Sequence, residues 1–299
     1  MSSNRVKSLW ILVFLILPIF SGCVRYETAL DQFNRGEYES AFKIWKLMAD
    51  HGDVRAQNYI GLMCDKGLGV VESDADAVVW FRKAATSGFA PAQNNLGIMY
   101  RSGAGVAENN VVAAYWFKSA LQKNHLDAAN NLGVLYDQGA GVAEDDAEAV
   151  RLFKSAAERG HARAMSNLGR MYDKGEGVPQ DYALAASYFR KAAESGDPEA
   201  QNNYAVMLDN GRGLPQNGIE AFQWFKKAAS QGDLSAQINL GKKYMAMSDQ
   251  GEALISAYAW FNLAASAGSN EARRMKQEVA TRMSVKQIEA AQRLSGSLL

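Results

Sequence analysis

Apolar residues recur along this chain at intervals of three and four, in short segments that polar, glycine-containing turns separate. In one segment Leu96 and Met99 have helical spacing, and Gly103 follows where the helix should end. In the next segment Ala113 and Phe117 lie on one face at the same kind of spacing. The pattern therefore predicts two amphipathic helices joined by a short turn.

This helix–turn–helix pattern repeats every 36 residues. One position of each copy carries a small residue, at Gly61, Gly97, Gly133, Gly169, Ala205 and Gly241. Another carries an aromatic residue, at Trp45, Phe81, Phe117, Phe153, Phe189, Phe225 and Phe261. A fixed period of about 20 to 50 residues indicates a repeat array, whose helix pairs stack because one pair alone cannot bury its apolar face. We therefore predict an all-α fold, an α-solenoid, in which the small residues leave room for the aromatic ring of a neighbouring helix.

Residues that commonly cap helix N-termini precede both helices in most copies. Before the second helix of successive copies the chain has Ser73, Asn109, Asp145, Asp181 and Asn217. Before the first helix it has Asp53, His125, His161, Asp197, Asp233 and Ser269. The Asp and Ser residues of this second set are good caps, so we expect the helices to begin at these positions.

The motif A-x-x-N-L-G-x-x-Y-x-x-G-x-G-V, followed by A-x-x-W/Y-F-x-x-A-A-x-x-G, resembles the Sel-one-like repeat (SLR), a relative of the tetratricopeptide repeat. The resemblance runs from about Glu37 to Ala272 and implies a right-handed superhelix. Complete Gly-x-Gly-Val/Leu loops begin at Gly67, Gly103, Gly139, Gly175 and Gly211. The first segment and the sixth copy lack this loop, as expected of terminal capping units.

The N-terminal segment has a different pattern. Basic residues Arg5 and Lys7 precede an apolar run, residues 9–20, that is too short to span a membrane comfortably. This layout predicts a secretory signal peptide. We therefore divide the chain into a signal peptide at residues 1–22, a tether and capping helix at 23–36, the SLR solenoid at 37–272 and C-terminal capping helices at 273–299.

The end of that apolar run, Phe20-Ser21-Gly22-Cys23, resembles the lipobox of bacterial lipoproteins, although the family usually has Leu where Phe20 stands. The resemblance implies that Cys23 is lipidated and becomes the first mature residue, so the only contact with a membrane is through its acyl chains. In the family an Asp after the cysteine commonly retains the protein at the inner membrane, so Val24 implies the outer membrane, facing the periplasm. The alternative is an ordinary signal peptide cleaved nearby, with no role for Cys23.

Composition excludes several classes of partner and stabilising bond. The 299 residues carry 32 basic and 32 acidic side chains, so no electrostatic attraction to nucleic acid is expected. Two cysteines, Cys23 and Cys64, are too few for a disulfide framework. Cys64 takes the place of a tyrosine that recurs at 36-residue spacing, so we predict that it is a core residue.

Candidate chemistry is sparse. The Gly-x-Gly loops lie between predicted helices and recur, so they are interpreted as turns and not as a phosphate-binding loop. His125 and His161 fall in one column of successive copies, and His51 stands beside the corresponding Asp53. These histidines are therefore spread along the array, whereas a zinc site needs three or four converging ligands. No nucleophile motif is present. We expect no catalytic residue, no metal, no cofactor and no small-molecule substrate.

Asparagine recurs two residues before the small residue of the first helix, at Asn95, Asn131, Asn167, Asn203 and Asn239. This recurrence needs an explanation, because Asn has only modest helix propensity. In tetratricopeptide relatives this position faces the concave groove, which implies that these amides bind the backbone of an extended peptide. The alternative is that each Asn bonds a loop backbone inside its own repeat. The candidate partner-binding residues on this face are Asn58, Tyr59, Asn94, Asn95, Asn130, Asn131, Asn167, Arg170, Asn202, Asn203 and Asn239.

Taken together, these features predict a non-catalytic envelope lipoprotein whose SLR solenoid holds a protein or peptide partner. One alternative is a hydrolase, because some cysteine-rich members of the family are linked to β-lactam hydrolysis; this chain lacks their paired cysteines and lacks Ser-x-x-Lys with Lys-Thr-Gly. Another is an assembly scaffold for polysaccharide export or a sensor pathway, which would use the same groove.

Overall fold

The structure of the protein is a computed structural model that describes residues 25–247 and 251–298. Over these residues the chain is all-α, with sixteen helices and no strand. The chain divides into two compact units, Met1–Asp145 and Asp146–Leu299, and each is a stack of helix pairs. The predicted signal peptide and its candidate lipidation site, Cys23, lie outside the described residues.

The first unit contains seven helices in its described part. They are α1 (residues 25–34), α2 (Tyr38–Asp50), α3 (Val54–Lys66), α4 (Asp74–Thr86), α5 (Ala90–Ser102), α6 (Asn110–Leu121) and α7 (Leu126–Asp137). From α2 to α7, each helix packs against the next one along the chain. The odd-numbered helices are the predicted first helices of the repeats, and the even-numbered helices are the second.

The second unit contains nine helices in its described part. They are α8 (Asp146–Ala157), α9 (Ala162–Lys174), α10 (Tyr182–Glu194), α11 (Pro198–Asn210), α12 (Gly218–Ser230), α13 (Leu234–Met247), α14 (Gly251–Ser266), α15 (Asn270–Ala280) and α16 (Val285–Ser295). The last two helices both pack against α14. The predicted boundary between the solenoid and the capping helices, at residue 272, falls inside α15, which Ser269 caps.

Side-chain caps start the helices where the sequence predicts them. Before second helices, the side-chain oxygen of Asn109 accepts from the backbone N–H of Val112 at 3.0 Å. Before first helices, Asp197 accepts from Ala200 at 2.8 Å. His161, which was not predicted as a cap, also accepts through Nδ1, from the N–H of Ala164 at 3.1 Å. His161 therefore satisfies one backbone donor at the helix start, the N–H of Ala164.

The Gly-x-Gly loops end the first helices and dock them on the preceding pair. Gly103 has a φ of +73° and ends α5 in the left-handed conformation that glycine tolerates best. Gly105 also has positive φ, and a Cβ built there would lie 2.3 Å from the carbonyl oxygen of Asp74, at the start of α4. The interpretation of these glycines as turn residues is confirmed, and Gly105 is required for close packing as well.

The aromatic column packs on the small-residue column in helix pairs of both units, as predicted. A Cβ built on Gly97 of α5 would lie 2.5 Å from Cε1 of Phe117 on α6, and Phe117 is fully buried. The same close contact joins Gly61 to Phe81, Gly169 to Phe189 and Gly241 to Phe261. Burying a phenyl ring of this size stabilises the fold by about 1.5–3 kcal/mol.

Cys64 is a buried core residue of the first unit, as predicted. Burial raises the pKa of its thiol above the ordinary value, because removal from water disfavours the thiolate, and the negative charge of Asp76 adds to the effect. The thiol therefore contributes to packing and is poorly suited to nucleophilic chemistry.

Candidate functional site

The predicted asparagine column lies on the first helices and forms amide bonds between consecutive repeats. Asn95 on α5 donates through Nδ2 to Oδ1 of Asn58 on α3, at 3.0 Å. Asn131 on α7 donates in the same way to Asn94 at 2.9 Å. We call these cross-repeat bonds, each spanning 37 residues of sequence, the asparagine ladder.

The second unit has an equivalent ladder bond, from Nδ2 of Asn239 on α13 to Oδ1 of Asn202 on α11 at 2.9 Å. In each pair the acceptor is buried and the donor is half-buried, so the ladder runs just beneath the surface. The sequence analysis expected each asparagine to bond either a peptide partner or a loop backbone of its own repeat. In the structure each donor instead bonds an asparagine side chain of the preceding repeat. The proposed loop contact is therefore wrong for Asn95, Asn131 and Asn239.

Four predicted partner-binding residues are buried and offer almost no surface. Asn58, Asn94, Asn130 and Asn202 are only 5–7% exposed. The assignment of these four to direct partner contact is corrected, because their position between stacked helices leaves no room for a ligand at the amide. The half-buried members of the column remain candidates for such contact: Asn95, Asn131, Asn167, Asn203 and Asn239.

The remaining candidates have local partners. Tyr59 stacks on Trp45 with ring centroids 4.2 Å apart, and it contacts Tyr26, whose pKa is raised to about 12 first by burial and then by Tyr59. Arg170 lies 3.2 Å from a carboxylate oxygen of Glu176. These interactions anchor Tyr59 and Arg170 without removing them from the surface, since both are half-buried.

Two clefts open between consecutive first helices, one in each unit. The cleft of the first unit, between α3 and α5, has a volume of 420 Å³ and is lined by Leu62, Asp65, Lys66, Phe81, Asn95, Ile98, Met99, Ser102 and Ala104. The cleft of the second unit, between α11 and α13, has a volume of 310 Å³ and is lined by Val206, Asp209, Asn210, Phe225, Asn239, Lys242, Lys243 and Ala246. We call them the α3/α5 cleft and the α11/α13 cleft.

The two clefts occupy the same place in the repeat. Phe81 and Phe225, 144 residues or four repeat lengths apart, are equivalent buried rings, and Asn95 and Asn239 are equivalent ladder donors. An apolar floor beside a half-buried amide suits an extended peptide, which presents both side chains and backbone hydrogen-bonding groups. Each cleft therefore places one member of the predicted asparagine column, Asn95 or Asn239, beside an apolar surface.

The chemistry of the clefts differs although their position does not. Where the α3/α5 cleft has Ile98 and Met99, the α11/α13 cleft has Lys242 and Lys243. Lys243 pairs with Asp209 across the cleft, and Lys242 lies 2.7 Å from Glu271. The hydrogen bond from Lys242 lowers the pKa of the Glu271 carboxyl, and its positive charge adds to the effect. The first cleft is mainly apolar and the second is zwitterionic.

A glutamine column at the start of the first helices was missed by the sequence analysis. Gln57, Gln93, Gln201 and Gln237 are buried, and each donates through Nε2 to a backbone carbonyl near the end of the preceding second helix at 3.1–3.3 Å. The sequence does contain a signal for this column, because the four glutamines are separated by multiples of the 36-residue period. Ala129 and Met165, however, occupy the same position in the two intervening copies. The glutamines join one helix pair to the next and do not face a ligand.

Within the described ranges, no group of His, Cys, Asp and Glu side chains is placed to hold a metal ion. No helix in that part of the chain combines the length and apolar character needed to cross a membrane. The first-helix face of each unit carries paired charges and half-buried amides.

Comparison with known proteins gives a family match. The sequence model of the Sel1 repeat matches six consecutive segments, residues 54–89, 90–125, 126–161, 162–197, 198–233 and 234–269. Each segment begins at the N-terminus of a first helix. The predicted SLR resemblance is therefore confirmed, and the first-helix face is the same surface in every matched repeat.

Solved structures of repeat proteins are similar to this chain. A Sel1 repeat protein from Oxalobacter formigenes is 33% identical with a TM-score of 0.72, covering 80% of this chain and 96% of that one. The protein c5321, a protective antigen present in uropathogenic Escherichia coli strains and displaying an SLR fold, is 23% identical with a TM-score of 0.51, covering 93% and 84%. No curated protein matches the chain.

Proposed function

This chain belongs to the Sel1 repeat family, and from that premise we propose that it is a non-catalytic scaffold that binds an extended segment of a protein partner along its first-helix face. Sel1 repeat proteins are generally protein-interaction scaffolds. The finer proposal is that the partner's side chains enter the clefts between first helices while its backbone bonds the half-buried asparagines.

The observation that carries this proposal is the recurrence of a cleft at the same repeat position in both units. Each has a phenyl ring at its base and a ladder asparagine at its side. A core side chain needs neither an opening of 310–420 Å³ nor an amide at the surface. Each cleft by itself suits a polypeptide ligand, because an extended chain presents both side chains and backbone hydrogen-bonding groups.

The charges on this face support a polypeptide over a nucleic acid. Each cleft wall carries a carboxylate paired with an ammonium group, Asp65 with Lys66 in the first and Asp209 with Lys243 in the second. A nucleic acid backbone would be repelled by these carboxylates and would need a positive stripe. A peptide segment of mixed charge has no such requirement.

The experiment that tests the proposal is site-specific photo-crosslinking in cells. A benzoylphenylalanine residue at Ile98, in the α3/α5 cleft, is expected to give discrete crosslinked adducts that mass spectrometry identifies. The matched control places the same residue at Tyr115. This side chain is 62% exposed on the second helix α6 and does not line the α3/α5 cleft. Adducts from position 115 with none from position 98 would contradict the assignment of the binding face.

We also propose that the protein acts in a bacterial envelope, anchored at the outer membrane through acyl chains on Cys23. The support is the lipobox-like sequence Phe20-Ser21-Gly22-Cys23 and the neutral Val24 after it. Several acyl chains give firm attachment at about 0.8 kcal/mol per buried methylene. Replacement of Cys23 by Ser should move the protein from the membrane fraction to the soluble fraction; unchanged fractionation would disprove lipid attachment at this residue.

A further inference from the structure

A cavity of 450 Å³ lies on the second-helix side of the second unit, between α12 and α14. It is lined by Gln223, Lys226, Lys227, Ser230, Trp260 and Leu298. None of these residues belongs to the first-helix face. The cavity therefore requires an explanation separate from peptide binding in the clefts.

The interior of this cavity is apolar. Trp260 forms part of its wall and is 4% exposed, and Leu298 packs against the hydrophobic core that contains Trp260. Leu298 follows α16 and lies outside the repeats, so none of the described repeats has a residue equivalent to this part of the cavity wall. The volume lies in the range of about 300–1,000 Å³ that is usual for small-ligand sites.

The rim of the cavity is positively charged. In the preceding repeat, Arg190 pairs with Glu194 four residues later, at 2.8 Å. At the equivalent positions α12 has Lys226 and Ser230, so the carboxylate that would neutralise the cation is replaced by a hydroxyl. Lys227 lies over the ring of Trp224 at 4.0 Å. Among the described residues, no carboxylate pairs with Lys226 or Lys227.

We propose that this cavity binds a small amphipathic anion, an aromatic or acyl carboxylate or sulfonate, with its apolar part against Trp260 and Leu298 and its charge at Lys226. An apolar wall beside an unpaired ammonium group complements such a ligand in both shape and charge. A neutral apolar ligand would gain nothing from the ammonium of Lys226, which is exposed and stays hydrated, and an inorganic anion would leave the apolar wall in contact with water.

The test uses 8-anilinonaphthalene-1-sulfonate as the probe, with fluorescence titration and calorimetry on the full chain. We expect saturable binding at one site per chain. The variant Lys226→Gln removes the cation, and Ser230→Glu introduces the carboxylate found at the equivalent position of the preceding repeat. Each is expected to weaken binding about five- to tenfold, as loss of one charge-assisted contact does. Both positions are exposed, and circular dichroism checks that the helices remain.

The matched control is Lys154→Gln, which removes an exposed lysine from the same repeat position of α8, outside the cavity. It should leave the affinity unchanged. N-phenyl-1-naphthylamine, which has the same rings without the sulfonate, should bind the wild type and Lys226→Gln equally. Absence of saturable sulfonate binding, unchanged affinity in Lys226→Gln and Ser230→Glu, or an equal loss in Lys154→Gln would each overturn the proposal. The result is independent of the first-helix clefts, so it does not depend on the crosslinking experiment.

Discussion

At the scale of single residues, Asp233 caps a helix from a half-buried position that disfavours its negative charge. Its side chain caps α13 by accepting from the backbone N–H of Ala236 at 2.6 Å. Burial nevertheless raises the pKa of the Asp233 carboxyl above its usual 3.8; the bond from Ala236 opposes this shift, and the negative charge of Asp197 adds to it. The folded state therefore binds this proton more tightly than the unfolded chain does, and the ionised form is disfavoured in the fold.

This sign leads to a prediction for Asp233→Asn. The stabilisation that Asp233 provides by holding a proton is complete below pH 3.8 and is lost as the pH rises through the raised pKa of the folded state. Asn keeps the cap, because it is as good a cap residue as Asp, and it carries no charge. The variant should therefore have a larger free energy of unfolding than the wild type at pH 7, and the gain should shrink towards acid pH.

Urea denaturation at both pH values measures this difference. In an Asp197→Asn background the gain at pH 7 should be smaller, because one source of the raised pKa has been removed. An equal gain at pH 7 and at acid pH would show that charge is not the cause.

At the scale of elements, the asparagine ladder and the glutamine column connect helix pairs that apolar packing alone would leave free to slide. The aromatic-on-glycine contacts hold α5 to α6 within one pair, whereas the ladder bond from Asn131 to Asn94 joins α7 to α5. A directional bond to a buried acceptor fixes the register of neighbouring first helices, and that register sets the width of the clefts.

Replacing Asn131 by Ala should therefore destabilise the protein by about 1–3 kcal/mol, because the buried carbonyl oxygen of Asn94 loses its donor. Chemical denaturation measures the loss. The double variant with Asn94→Ala should cost less than the sum of the two single changes, since neither amide is then left unpaired. Strict additivity would mean that the ladder bond contributes nothing to the coupling of α5 and α7.

The helices could be predicted from the sequence, but the hydrogen bonds between helices of neighbouring repeats could not. The 36-residue columns predicted the helices, most of their caps and the packing of Phe117 on Gly97, because these follow from local propensity and from one contact that recurs unchanged. The period does not specify the rotation between neighbouring helices. A small rotation of one helix against the next decides whether Asn95 contacts Asn58, a loop carbonyl or a ligand. The ladder and the clefts could therefore not be predicted from the sequence and are seen only in the structure. The C-terminal cavity was also hidden, since Leu298 lies beyond the last repeat.

At the scale of the whole molecule, stability in a repeat array is approximately a sum of helix-pair terms and nearest-neighbour interfaces. The end of the second unit therefore needs a closing element. Helix α16 begins at a capping box at Ser284, buries Ala291 against the core and places Ser295 within 3.0 Å of Nδ2 of Asn262 on α14. It covers apolar surface that an interior repeat would cover with the next helix pair.

Removal of residues 284–299 should consequently loosen the end of the second unit more than its beginning. Hydrogen exchange should show protection falling by at least about tenfold in α14 and α15, which is ~1.4 kcal/mol, and progressively less towards α9. Val285→Ala is the matched control, because Val285 belongs to the same helix but is 73% exposed, so it should change protection little. A uniform loss of protection from α8 to α15 would mean that the unit unfolds as one cooperative block. That result would contradict nearest-neighbour coupling in the second unit, and with it the local closing role of α16.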